Sequence, residues 1–162
     1  HAPHLKLLFN QHGGMEKPMW DKAKATIDYL RESDVGIDGV GWQAHVSAGW
    51  EKIPGNMQSL DRLIRWTHAR SLEFHVTENT VWMDDPRAET QESQAATFRA
   101  IVTKLAEHSR RGVVVWHVWQ LCDSHIQRPQ KKGTMFDTSF QPKKSYYAVQ
   151  DALQYFSKAA KE

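Results

Sequence analysis

Side chains able to do chemistry gather at four places in this chain, each closing a short apolar run. Asn10, Gln11 and His12 follow Leu5-Lys6-Leu7-Leu8-Phe9. Gln43 and His45 end the run Ile37 to His45, and Glu78 with Asn79 end the run Leu72 to Glu78. His117 and Gln120 stand in and just after Val113-Val114-Val115-Trp116-His117-Val118-Trp119. A carboxylate beside an imidazole can attack an electrophilic carbon, shuttle a proton or ligate a metal ion. Three chemistries therefore compete. Glu78 with His45 suits carboxylate catalysis, while His12, His45 and Glu78 form a nitrogen and carboxylate set for zinc or manganese. The seven Trp could instead offer flat faces to sugar rings without any catalysis. Each reading has a plainer counterpart. A Glu after a strand can cap it, a lone strand-end His is commonly structural, and Trp supplies buried area to any core. No tight metal motif such as His-Glu-x-x-His occurs, which weighs against the metal.

Such groups need a scaffold, and hydrophobic periodicity supplies one. The apolar runs read as four strands starting near Leu5, Ile37, Leu72 and Val113. Between them, helical spacing recurs. Pro18 suits a first helical turn, and Trp20, Ala23, Ile27 and Leu30 share a face. Met57, Leu60, Leu63 and Ile64 mark a second helix, and Gln94, Phe98, Ile101, Val102 and Leu105 a third, closed by Gly112. Tyr146, Val149, Ala152, Leu153 and Phe156 mark the last. Four strand–helix repeats predict an α/β fold with a parallel sheet, whose chemistry sits at the C-terminal ends of the strands. No linker interrupts residues 1–162, so a single domain is expected. Four strands do not close a barrel, which takes eight strands and about 250 residues. The alternatives are a small open sheet or half of a barrel.

Composition narrows the partners. Among 162 residues, 40% are hydrophobic and 25% charged, an ordinary globular balance. A net charge of +2 with scattered Lys and Arg argues against nucleic acid. No apolar stretch approaches the roughly 18 residues that cross a bilayer, so no membrane partner is expected. The single Cys122 excludes an intramolecular disulfide and leaves the compartment open. The chain opens on His1-Ala2-Pro3-His4 rather than Met, which suggests a processed or truncated product.

Six fragments, taken in order, resemble glycoside hydrolase family 10, the endo-1,4-β-xylanases. They are Phe9-Asn10-Gln11-His12, Gly41-Trp42-Gln43-Ala44-His45, Val76-Thr77-Glu78-Asn79, Val115-Trp116-His117-Val118, Met135-Phe136-Asp137 and Pro142-Lys143-Lys144-Ser145-Tyr146-Tyr147. The resemblance spans nearly the whole chain. It implies the C-terminal half of a (β/α)8 TIM barrel, strands five to eight, as four parallel βα units. It implies a retaining, endo-acting hydrolase of β-1,4-xylan or a related β-glycan, with Glu78 as nucleophile and His45 orienting it. Gln43 would bind the sugar at the cleavage site, Trp116 would lie beneath that sugar, and Asn10 would take a polar role nearby. No cofactor and no metal are implied. The family's acid/base Glu, in an Asn-Glu pair on strand four, would lie before residue 1, so the chain alone is expected to be inactive. Its partners would be a β-1,4-linked polysaccharide or oligosaccharide, and a complementary N-terminal half-barrel or a second copy covering the open sheet. Extracellular or periplasmic residence is implied only because polymeric xylan lies outside cells. The alternatives are a metal-dependent TIM-barrel hydrolase or a non-catalytic carbohydrate-binding domain.

This chain departs from the family pattern in several places. Gln11-His12 replaces Asp-Tyr, Thr80 replaces an Asp that partners the strand-six His, and His117 replaces Gly after Trp116. Gln120 stands near a usual Asp, and Asp123-Ser124-His125 replaces a Ser-Trp pair. Loss of the carboxylate at 80 should weaken control over the protonation of His45.

Overall fold

The computed structural model of this chain describes residues 4–85 and 90–159. Its order is β1 (Leu8–Gln11), α1 (Lys17–Glu32), β2 (Gly39–Ser47), α2 (Asn56–His68), β3 (Glu73–Trp82), α3 (Gln91–His108), β4 (Val114–Trp116) and α4 (Lys144–Ala159). The strands pair in chain order, β1-β2-β3-β4, and every pairing is parallel. The expected alternation of four strands with four helices is therefore present. Parallel neighbours require a crossover, and α1, α2 and α3 supply the three.

Strand boundaries differ from the periodicity: β2 and β3 run on past His45 and Glu78, to Ser47 and Trp82. Strand β1 begins at Leu8 rather than Leu5, because ladder pairing starts at Leu8 opposite Gly39. Strand β4 stops at Trp116 rather than Trp119, because β3 offers it partners only at Phe74, His75 and Val76.

One face of the sheet is buried with the helices. Val40, Trp42, Ala44 and Val46 of β2 and Phe74 and Val76 of β3 pack in one cluster with Trp20, Ala23 and Ile27 of α1. Leu60, Leu63 and Ile64 of α2 and Phe98, Ile101, Val102 and Leu105 of α3 complete it. Leu153 departs from expectation, for it is 48% exposed. It lines an apolar groove with Val102, Leu105, Val114, Trp116 and Phe156, beside the β4 edge.

Local chemistry shapes the strand ends. Gly13, at φ 96°, makes the turn after β1 in a conformation that L side chains rarely adopt. Its carbonyl accepts from Trp42 Nε1 at 2.8 Å, and that of Gly14 accepts from Trp20 Nε1 at 2.9 Å. Two core indoles thus tie the β1–α1 turn down. Helix α3 is capped by Thr90, whose hydroxyl accepts from Ser93 N at 3.3 Å. Fully buried Gln94 then donates to Val81 O and Lys132 O, at 2.8 and 2.6 Å, joining α3 to β3 and to the loop before α4.

That loop is anchored from beneath by a buried pair. Lys143 Nζ donates to Asp123 Oδ2 at 3.1 Å, to Lys132 O at 2.7 Å and to Thr134 O at 2.8 Å. Asp123 Oδ1 accepts from Thr134 N and Oγ1 at 3.0 and 2.9 Å. Burial pulls the Lys143 ammonium below its usual range, and the nearby Asp123 carboxylate offsets part of that effect.

Candidate active site

A break in register decides which side chains share the polar face. Trp42 pairs with Val76, but the next residue, Gln43, pairs with Glu78, so Thr77 is left without a partner in β2. Strict alternation would place Glu78 with Phe74 and Val76 against the helices. The bulge at Thr77 turns it to the opposite face instead. From there on Glu78, Thr80 and Trp82 sit across from Gln43, His45 and Ser47.

On that face Glu78 Oε2 lies 2.9 Å from His45 Nε2, and His45 Nδ1 lies 2.7 Å from Thr80 Oγ1. An ionised Glu78 can only accept, so Nε2 must carry the hydrogen of the first bond. In the neutral ring Nδ1 then accepts from the Thr80 hydroxyl. In the imidazolium it donates to the same oxygen. A hydroxyl serves both states where an aspartate would serve only the charged one. Thr80 is fully buried, so water does not compete for this bond. Glu78 and His45 keep 15% and 29% of their side-chain surface open, enough for a ligand to reach them.

Around this pair runs a groove of about 270 Å³ lined by His45, Glu78, Trp82, Trp119, Gln120, Gln127 and Arg128. The Trp82 ring stacks on His45, with centroids 6.3 Å apart and planes 28° from parallel. Gly133 backs that indole: a Cβ there would stand 2.6 Å from Trp82 Cε3. The 131–133 segment pairs with β3 through Val81 N to Gly133 O and Met83 N to Lys131 O, both 2.9 Å. At the rim, Asp84 is held by Lys131 and by Ser47 Oγ, which keep its carboxyl below the usual range.

The expected site residues do not all converge. Gln43 lies directly opposite Glu78 in the ladder. Asn10 lies nearer the strand starts, accepting from Thr77 Oγ1 at 2.8 Å across Gly41. A Cβ at 41 would sit 2.5 Å from Asn10 Oδ1, so any other residue there must displace the Asn10 amide from this bond. Trp116 departs from its expected place beneath a sugar. Its ladder partner is Val76, which faces the helices, so Trp116 points there too. Its Nε1 donates to Asn79 Oδ1 at 3.0 Å, and its ring packs by α3 and α4. The groove's aromatic faces come instead from Trp82 and Trp119. Trp82 was legible as the next period-two step after Glu78 and Thr80, whereas Gln127 and Arg128 sit in a loop without periodic signal.

His12 is exposed and its backbone N–H bonds Gln11 Oε1 at 2.9 Å. Among the described residues, no group of three or more His, Cys, Asp and Glu is placed to hold a metal ion, so His12 does not join His45 and Glu78 as a ligand set.

Residues 1–152 match the family model described as Glycosyl hydrolase family 10. The chain belongs to that family. It is 27% identical over 157 residues to endo-1,4-beta-xylanase B of Neocallimastix patriciarum, covering 94% of this chain and 17% of that protein. Native xylanase 10B of Thermotoga maritima superposes with a TM-score of 0.80 at 21% identity, over 96% of this chain and 49% of that one. Xyn10A of Cellvibrio japonicus, as a thermostable mutant, gives 0.74 at 23% identity, over 93% and 50%. The chain thus spans about half of these solved xylanases and a smaller share of the curated relative. Its four parallel βα units correspond to half of a family 10 TIM barrel.

Proposed function

We propose that residues 1–162 form one unit, strands five to eight of a retaining, endo-acting glycosidase that cleaves β-1,4-xylan or a related β-glycan. Glu78 is its nucleophile. The observation that carries this reading is the Glu78–His45 contact at 2.9 Å, opening on a groove with two indoles. Glu78 attacks the anomeric carbon, the bond from that carbon to the leaving oxygen breaks, and a glycosyl-enzyme ester forms. Water then hydrolyses the ester and returns Glu78 as the free carboxylate. His45 holds the attacking carboxylate in place, Gln43 and Asn10 supply polar contacts, and Trp82 and Trp119 offer faces to sugar rings. Xylan-type chains suit this groove, and the Clostridium thermocellum family 10 relative was solved with xylohexaose bound.

A retaining site also needs a second carboxyl about 5–5.5 Å from the first, to protonate the leaving oxygen. Among the described residues lining the groove, Glu78 is the one carboxylate. We assign the acid/base to a complementary N-terminal half-barrel that covers the polar face and both sheet edges. Exposed Leu5 and Leu7 at the β1 side, and Val113 and Leu153 at the β4 side, would be buried by it. General acid catalysis typically contributes 10²–10⁴-fold, so the chain alone should leave unactivated xylan intact.

A 2-fluoro-xylobioside with a dinitrophenolate leaving group tests the nucleophile directly. That group departs as a stable anion and needs no proton donor. Mass spectrometry of a proteolytic digest should find the sugar on the peptide containing Glu78, and nothing on E78Q. A folded chain that stays unlabelled overturns the assignment of Glu78. Reducing sugar released from plain xylan by the chain alone overturns the assignment of the acid/base.

A further inference from the structure

Among the described residues lining the groove, one carries a fixed positive charge, Arg128, and nothing in the cleavage of a neutral glycan calls for it. A linear xylose chain presents only hydroxyl and ether oxygens. The indoles of Trp82 and Trp119 and the amides of Gln120 and Gln127 already answer those groups.

The backbone of Arg128 is tied to the strand that carries Glu78. Its carbonyl accepts from Lys131 N at 2.9 Å, closing the turn Pro129–Lys131. Lys131 pairs with Asp84 just beyond β3, and its carbonyl accepts from Met83 N at 2.9 Å. On the other side, Lys132 O is held by the buried Lys143 ammonium. The loop therefore holds the Arg128 backbone in a set place relative to β3.

Carboxylates among the described residues around the groove already have partners. Glu78 is bonded to His45, and the Asp84 oxygens are taken by Lys131 and Ser47, although Arg128 helps to lower the Asp84 carboxyl. Arg128 lines the groove and is exposed, so its guanidinium can reach what enters. A planar guanidinium fork matches a carboxylate through two parallel N–H···O bonds, a fit that hydroxyls do not reproduce.

We infer that the groove prefers β-1,4-linked chains bearing a carboxylate branch, a uronic acid substituent, which Arg128 recognises. This rests on the glycosidase reading above and adds the substrate class to it. Arg128 is exposed, so the preference is small: surface ion pairs are worth up to about 1 kcal/mol, or roughly fivefold in affinity.

The test titrates the 162-residue chain with three xylo-oligosaccharides of equal backbone length: unbranched, branched with a uronic acid, and branched with its methyl ester. The ester keeps the size and removes the charge. Expected is a Kd about three- to fivefold lower for the acid than for the ester, falling toward equality in R128Q and at about 0.5 M salt. R128K, which keeps the charge and loses the fork, should fall between. Equal Kd for acid and ester in the unmutated chain overturns the inference, as does a preference that survives in R128Q. Separate labelling of Glu78 by the fluoro-xylobioside then shows that the glycosidase reading stands while the inference fails. No binding of any of the three, together with no labelling, overturns both.

Discussion

Lys143 and Asp123 offer the most demanding check on how this half-barrel holds its groove. Both side chains are almost wholly buried, at 4% and 3% exposure, and their charges meet at 3.1 Å. Lys143 Nζ also serves two carbonyls, while Asp123 serves both polar groups of Thr134. K143M leaves the Asp123 carboxylate buried without its cation, a change that costs about 3–5 kcal/mol at such sites. D123N leaves the ammonium buried with only carbonyls and an amide, and should cost a similar amount. The double variant removes both charges, so it should cost less than the sum, with a coupling of about 1–3 kcal/mol. At about 2–4 °C per kcal/mol for a chain of this size, each single variant should melt roughly 6–20 °C lower. Urea unfolding followed by far-ultraviolet circular dichroism gives all three free energies. Additivity within about 0.5 kcal/mol, or a K143M cost under about 1 kcal/mol, would refute the reasoning. Either result would mean that water reaches the pair and that the loop bearing Arg128 is held by something else.

Two further outcomes follow from single contacts. T80V keeps the shape of a fully buried residue and removes the partner of His45 Nδ1. Loss of one such bond is worth about 1 kcal/mol, so labelling of Glu78 should slow about fivefold, and an unchanged rate constant argues against control through Thr80. Glu73 is bonded by Lys6 and then His75, which hold its carboxyl below its ordinary value of 4.5. Its stabilisation is therefore full above about pH 4.5 and is lost as pH falls through the lower folded value. E73Q should flatten the fall in urea midpoint below pH 4.5, and identical slopes in the two proteins would count against the pairing.

Much of the site was legible because strand periodicity and helical spacing are local properties of the chain. Gln43 and His45 are two residues apart on β2, so they share a face in any strand. Trp20, Ala23 and Ile27 repeat at helical spacing, and all three are buried in α1. Trp116 was not legible. Its run of valines gives no sign of which face it takes, and only pairing with Val76 sends it to the helices. Leu153 failed for a related reason: its helical phase matches the core, but the sheet edge beside it is open.

Residue order alone, then, determined that four strands would alternate with four helices and that Gln43 and His45 share one strand and Glu78 stands on the next, because those patterns repeat within a few residues. Tertiary structure decided that Glu78 faces His45 at all. Unbroken alternation from Phe74 would have turned this carboxylate into the core, and the extra residue at Thr77 reverses it. It also decided that Trp82, Trp119 and Arg128 surround the pair, since they come from a strand end and a loop that only packing brings together.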